Sequence, residues 1–336
     1  MKKSLIALAV AGAMTAPVVA QADATLYGNV EIEGVFGDNQ DADIQIDDAI
    51  IGVKGSDETY IDGVSSFYNI EFELGEGSNA ISDGNGISTR KANAGLTGGF
   101  GTLIGGRFSN PIDATEANDL YSESVSTDYF MKNPDRLTAA AYITPTFSGF
   151  SAYAGIVADG ASGSDFNEND NEDLDGYLVG ASYTLGGFSA DLGYWNLEGD
   201  GDLVGGPGST IDDIEYVGLA LSYAIDAFTF TGTYETTDNY ADGAWAGNLA
   251  YAFADTETWA LAVDYALENT NFGITYMDYT EEEVGTDSDV EADEWGVYVS
   301  HALSNKASIK AQYTSADTDD SLEVEDVFVI GYNVKF

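Results

Sequence analysis

The sequence predicts an all-β fold, a transmembrane antiparallel β-barrel of sixteen strands, with eighteen as the alternative count. Three observations carry this. Short segments alternate apolar and polar residues with period two and recur along most of the chain. Their polar faces carry Glu, Lys, Gln and Thr, which a dry core would leave unpaired, so a wet interior and an apolar exterior suit them better. Connections alternate as well: tight links at Gly98-Gly99, Thr146–Gly149, Gly186-Gly187, Ile225–Phe228, Glu268–Asn271 and Leu303–Lys306 are separated by long acidic stretches. Short turns at one end and long loops at the other are the pattern of bacterial membrane barrels.

The first element is Thr25–Gly37, with Leu26, Val30, Ile32 and Phe36 on one face and Tyr27, Asn29, Glu31 and Glu33 on the other. Ser66–Gly75 sets Tyr68, Ile70, Phe72 and Leu74 opposite Asn69, Glu71 and Glu73. Arg90 and Lys91 are neighbours, so regular alternation sends them to opposite faces, one of them away from the lumen. Further on, Val217, Leu219, Leu221 and Tyr223 oppose Tyr216, Gly218, Ala220 and Ser222. Phe228, Phe230 and Tyr234 alternate with threonines, and Trp259, Leu261, Val263 and Tyr265 with Ala260, Ala262 and Asp264. Ala307, Ile309, Ala311 and Tyr313 alternate with Lys306, Ser308, Lys310 and Gln312. Trp245–Phe253 also alternates and would bring the strand count to seventeen. A barrel of this type needs an even number, so Asn239–Thr256 is read as a long loop and the count stays at sixteen. Tyr177, Tyr194, Trp195, Trp259 and Trp295 near strand ends are assigned to interfacial girdles.

Lys2 and Lys3, the apolar run Leu5–Val19 and the sequence Ala20-Gln21-Ala22 read as a secretory signal peptide over residues 1–22, cleaved before Asp23. The apolar run is short for a membrane-spanning anchor, the alternative reading. Residues 23–336 then form one domain. There is no cysteine, which excludes disulfides, thiolate metal sites and cysteine catalysis.

Lys and Arg number 11, two of them Lys2 and Lys3, against 58 Asp and Glu. Such a balance excludes nucleic acid as a partner, because that affinity rests on neutralising phosphates. The acids concentrate in Asp159–Asp175, Glu198–Asp213, Glu281–Glu294 and Asp317–Asp326, all read as solvated loops. The run Asp165–Asp173 lacks the ordered spacing of a calcium loop, so no metal site is assigned. No cofactor is expected.

One stretch departs from the pattern. Gly105–Arg136 shows no clean alternation over its length, which is long for a plain connector. Phe108, Ile112, Leu120, Tyr121 and Tyr129 give it apolar anchors, while Asp113, Glu116, Asp119 and Glu123 give it carboxylates. It is read as a loop folded into the barrel, narrowing the lumen.

The chain closes on VFVIGYNVKF, in which Phe328, Ile330, Tyr332, Val334 and Phe336 alternate up to a terminal aromatic. Taken with the start ATLYGNV, the strand IIGVKG and the hairpin AGLTGGFGTLIGGR, the sequence resembles the general diffusion porins of Gram-negative outer membranes. The resemblance implies homotrimers of sixteen-stranded barrels in outer-membrane lipid and passive diffusion of small hydrophilic solutes and ions. It implies that the acids Asp113, Glu116, Asp119 and Glu123 face a basic cluster on the wall. By motif position Arg90, Arg107 and Arg136 match that cluster, and Asn29 and Glu71 line the lumen. Two positions that are basic in family members hold Asn29 and Ile50 here, so the expected channel prefers cations. The resemblance also makes Phe336 an assembly signal.

A substrate-specific channel for a sugar or an ion is the alternative, kept open by Tyr121 and Tyr129 in the loop. An enzyme is not expected: His301 is the only histidine, and no G-x-S-x-G segment accompanies it.

Overall fold

The computed structural model describes residues 24–38, 41–74, 87–117, 136–157, 174–198, 213–241, 253–283, 289–318 and 326–336. The signal segment, Asp119, Glu123, Leu120, Tyr121, Tyr129 and the run Trp245–Tyr251 lie outside these residues. The first strands are β1 (Thr25–Gly37), β2 (Asp43–Glu58), β3 (Val64–Glu73), β4 (Ser88–Gly98) and β5 (Gly101–Ser109). A 3-10 helix, Pro111–Thr115, follows β5. Then come β6 (Arg136–Ile143), β7 (Phe150–Val157), β8 (Gly176–Leu185), β9 (Phe188–Leu197), β10 (Ile214–Ile225) and β11 (Phe228–Ala241). The last are β12 (Phe253–Leu267), β13 (Thr270–Glu283), β14 (Asp289–Ala302), β15 (Ala307–Thr318) and β16 (Asp326–Lys335).

Each strand pairs antiparallel with its sequence neighbours, and β1 pairs with β16 to close a sixteen-stranded barrel. Closure leaves no edge, so every strand finds backbone partners without help from lipid. At the seam Phe336 N–H donates to the Gly28 carbonyl at 3.1 Å. The Phe336 ring lies over Gly28, where a Cβ would come 2.1 Å from its Cζ.

The alternation read from the sequence sorts the wall as expected. Tyr68, Ile70, Phe72 and Leu74 are exposed outward, while Glu71 between them is buried inward. Aromatic pairs on the outer face mark two levels of the wall. Phe36–Phe328, Tyr177–Tyr194, Trp259–Tyr276 and Trp295–Tyr313 lie toward the long-loop end, and Phe228–Tyr265 lies by the tight turns. These are the girdles at which amphipathic rings meet headgroups. Trp195 is not among them. Its neighbour Tyr194 takes the outward position, so Trp195 points inward and is buried.

Strand ends differ from the sequence reading in a consistent direction. β5 runs on to Ser109, so Gly105–Ser109 is strand and not loop. β11 reaches Ala241 and β12 begins at Phe253, which shortens the loop placed over Asn239–Thr256. The acidic stretches likewise begin inside strands. Asp278, Asp293 and Asp317 stand in one register row across β13, β14 and β15, above the row of Tyr276 and Trp295. The strands continue past the girdle, and there the outward positions turn acidic.

Candidate functional site

The loop helix is built by local chemistry. Asn110 caps it, accepting a hydrogen bond from Ile112 N–H at 3.1 Å, and Pro111 supplies a fixed φ at the first helical position. Thr115 Oγ1 donates to the Ile112 carbonyl at 2.8 Å. In a 3-10 helix residues three apart eclipse, so Ile112 and Thr115 share one face and Asp113 and Glu116 fall together on the next.

The first of these faces docks on the barrel. Ile112 is wholly buried against β9, where a Cβ added at Gly193 would lie 2.6 Å from Ile112 Cγ2. A Cβ at Gly218 of β10 would lie 2.4 Å from Thr115 Oγ1. Both glycines are sockets, needed for close approach. Thr115 Oγ1 is 3.1 Å from Tyr216 OH, which donates to Glu235 Oε2 of β11 at 3.0 Å. Trp195 stacks on Tyr216 with ring centroids 5.6 Å apart and planes at 4°. Phe108, Leu137, Val157 and Leu178 complete the apolar cluster around Ile112.

The charged wall lies on the far side. From β10 to β2 is half the circuit of the barrel, so the docked helix and the strands around β2 are diametrically placed. Two β-bulges shape that wall. One falls on β2, where Glu31 pairs with Asp48 but Ile32 pairs with Ile46, leaving Asp47 extra. The other falls on β4, where Glu71 pairs with Lys91 but Phe72 pairs with Thr89, leaving Arg90 extra. A bulge sets two residues opposite one and breaks the alternation. Arg90 and Lys91 therefore both turn to the lumen, which corrects the expectation that one faces away. Arg90 Nε and Lys91 Nζ each approach Glu71 Oε1, at 3.3 and 3.4 Å.

The remaining contacts extend this into a ladder. Arg90 Nη1 lies 3.3 Å from both Asp48 Oδ1 and Glu73 Oε2. Tyr27 OH is 2.8 Å from Glu71 Oε2, and Lys54 Nζ sits 4.9 Å from the Tyr27 ring centre. Asn29 donates to Asp48 at 2.8 Å and faces its register partner Ile50. On the other flank Lys310 Nζ reaches Glu31 Oε1 at 2.7 Å and Glu33 Oε1 at 2.5 Å. The acids of these pairs are largely buried, so the cost of desolvating them offsets much of the attraction and the pairs add little net stability. Full burial of an isoleucine is worth ~1.5–3 kcal/mol. The helix is thus held chiefly by packing, and the ladder chiefly sets the field.

The other two arginines do not join Arg90. Arg107 stands in a register row with Ile70, Ala92 and Thr138, the outward row of β3–β6. Arg136 pairs with exposed Ser109, two residues along on the same face. The motif match places their positions along the chain, but strand register decides their face, and it is the outer one. Lys310 and the second bulge acid, Asp47, are wall residues that motif position alone did not single out. The solitary His301 sits at the tight-turn end of β14, its Nδ1 2.8 Å from Thr270 Oγ1.

A closed barrel with a charged lumen, an apolar belt and a helix docked inside it defines a transmembrane channel. A model of the Gram-negative porins matches residues 7–321, and the chain belongs to that family, whose place is the outer membrane. Major outer membrane protein P.IB of Neisseria gonorrhoeae is 29% identical over 222 residues, 60% of this chain and 59% of that protein. This chain thus spans about three-fifths of that relative. Porin-like protein H of Photobacterium profundum is 25% identical over 354 residues, with both chains covered in full (100%). Among solved structures, a loop-deletion form of Vibrio cholerae OmpT aligns with TM-score 0.72 at 18% identity, covering 94% of this chain and 99% of that one. An anion-selective porin from Comamonas acidovorans aligns with TM-score 0.71 at 17% identity, over 94% and 100%. At such identities these structures speak for the fold alone.

Proposed function

We propose that this porin is a passive-diffusion channel for small hydrophilic solutes and ions that favours cations and works as a homotrimer. The observation that carries the preference is the charge balance of the ladder. Glu31, Glu33, Asp47, Asp48, Glu71 and Glu73 stand there against Arg90, Lys91 and Lys310. Six carboxylates exceed four cations once Lys54 over the Tyr27 ring is counted, so the wall opposite the loop has surplus negative charge where the family resemblance implied a basic cluster. Asp113 and Glu116, on the second face of the loop helix, are the acidic side of the constriction in this reading, with Asp119 and Glu123 beyond. The fold does not dictate the sign, since a barrel of similar shape is anion-selective; the side chains must.

Reach in salt separates the near charges from the distant ones. The screening length is ~3 Å at 1 M and ~30 Å at 0.01 M. Charges at a constriction still bias permeation in concentrated salt, whereas outer-loop acids count only in dilute salt. An Asp113→Asn, Glu116→Gln double variant is expected to lose much of the cation bias that persists at 1 M KCl. Unchanged selectivity at every concentration would remove these two residues from the constriction.

Assembly is tested at the seam. Deleting Phe336 is expected to cut surface levels of an SDS-resistant, heat-dissociable oligomer severalfold and to leave the conductance of inserted channels unchanged. Normal levels would contradict the assembly role. Wild-type protein that migrates at monomer mass in every mild detergent would contradict the trimer.

A further inference from the structure

The carboxylates of Glu31, Glu33 and Asp47 each offer an oxygen within 4.8 Å of the others, on the lumen side of β1 and β2. Oxygens around Ca²⁺ sit at ~2.3–2.6 Å from the ion, so ligands on opposite sides are at most ~5 Å apart. For Mg²⁺ at ~2.0–2.1 Å the span is ~4 Å. The cage is small enough for one such ion, and it already holds a cation. The Lys310 ammonium lies in it, 2.7 Å from Glu31 and 2.5 Å from Glu33.

Lys310 reaches this place by an unusual route. It projects from β15, passes over β16 and ends on β1. Gly331 of β16 is opposite Lys310 in one register and opposite Glu33 in the next. A Cβ at Gly331 would lie 2.6 Å from Lys310 Cε and 2.8 Å from its Cγ. The bare glycine is the saddle that the lysine stem crosses. Asn333, two residues on, fixes the cage from the same strand by donating to Glu31 Oε2 at 2.6 Å. The bulge on β2 supplies the third acid, since without the extra residue Asp47 would fall on the outer face.

We propose that Lys310 is a specificity-determining residue of the channel, a tethered monovalent cation that fills a three-carboxylate cage and keeps divalent ions out of it. An ammonium delivers one charge and compact donors at a point. With Lys310 in place the cage has no room for a hard ion needing six or more oxygens. Without its ammonium the same oxygens bind Ca²⁺ drawn from the lumen. The proposal rests on the reading of the barrel as an ion channel and not on its sign of selectivity. Reversal potentials test the sign, and loss of conductance tests the cage.

The measurement is single-channel conductance in planar bilayers in dilute KCl, titrated with CaCl₂ or MgCl₂. Wild type is expected to keep its conductance through ~1 mM Ca²⁺, the affinity range of weak calcium modules. Lys310→Gln is expected to be blocked within ~0.1–1 mM Ca²⁺, and less by Mg²⁺. Lys310→Arg should restore insensitivity, and Glu33→Gln added to Lys310→Gln should abolish the block. Gly331→Val gives an independent arm, because it displaces the lysine stem while leaving all charges in the chain. It too should become calcium-sensitive. Lys310→Gln and Gly331→Val channels that respond to Ca²⁺ as wild type does would overturn the proposal. So would a block that survives Glu33→Gln.

Discussion

A Gly193→Leu channel is expected to conduct more current than wild type and to pass larger solutes. The side chain would enter the space of Ile112, which already stands 2.6 Å from where a Cβ would be. The strand backbone cannot yield easily, because β9 is paired on both sides. The loop helix must lift off, giving up the burial of Ile112 and the Thr115–Tyr216 contact. Truncating a buried isoleucine costs ~2–5 kcal/mol, more than any single exposed ion pair would return. Ile112→Ala should therefore act in the same direction and more weakly. Gly232→Leu is the control: that glycine faces outward on β11, with its nearest neighbour 3.4 Å from an added Cβ. Wild-type conductance in a normally assembled Gly193→Leu channel would show that the helix docked on β9 and β10 does not limit the pore.

Removing the acids around Arg90 is expected to have the largest effect on selectivity. In an Asp48→Asn, Glu71→Gln, Glu73→Gln triple variant, Arg90 and Lys91 lose the carboxylates that now lie 3.3–3.4 Å away. Three negative charges against two positive become two positive alone. A unit charge at ~4 Å is worth ~1 kcal/mol in water and ~4 kcal/mol at an effective dielectric of 20. Each ~1.4 kcal/mol is tenfold in an equilibrium. Even heavily screened, that reversal should bring the K⁺ to Cl⁻ ratio down severalfold and past unity in dilute KCl. The barrel should still form, since its closure rests on the backbone pairing of sixteen strands, which the three substitutions leave in place. A triple variant as cation-selective as wild type would place the deciding charges elsewhere.

The fold was legible in the sequence because the bilayer imposes it. Lipid on one side and water on the other force period-two segments such as Tyr68–Leu74, and antiparallel closure forces the turns to keep step. Strand ends were less legible, because strands continue past the girdle, where residues such as Asp293 look like loop. The site was only partly legible, for a different reason. Alternation cannot reveal an extra residue, so Asp47-Asp48 and Arg90-Lys91 read as ordinary neighbours until register shows that each pair turns inward. Arg107 and Arg136 were placed by motif position, which fixes a place along the chain and not a face, and Trp195 was put in a girdle although regular alternation with Tyr194 turns it inward. Asp113 and Glu116 drew notice in the sequence because acids in a segment that breaks the pattern stand out. Gly193, Gly218 and Gly331 did not, since a glycine records only the absence of what its neighbour needs.

The sign of the wall charge is tested most directly by the reversal potential of the wild-type channel under a tenfold KCl gradient, repeated at falling mean concentration. A surplus of carboxylates opposite the loop predicts K⁺ over Cl⁻, still present at molar salt and growing as screening weakens. A reversal potential that favours Cl⁻, or one that is zero in dilute salt, would contradict a cation-preferring lumen.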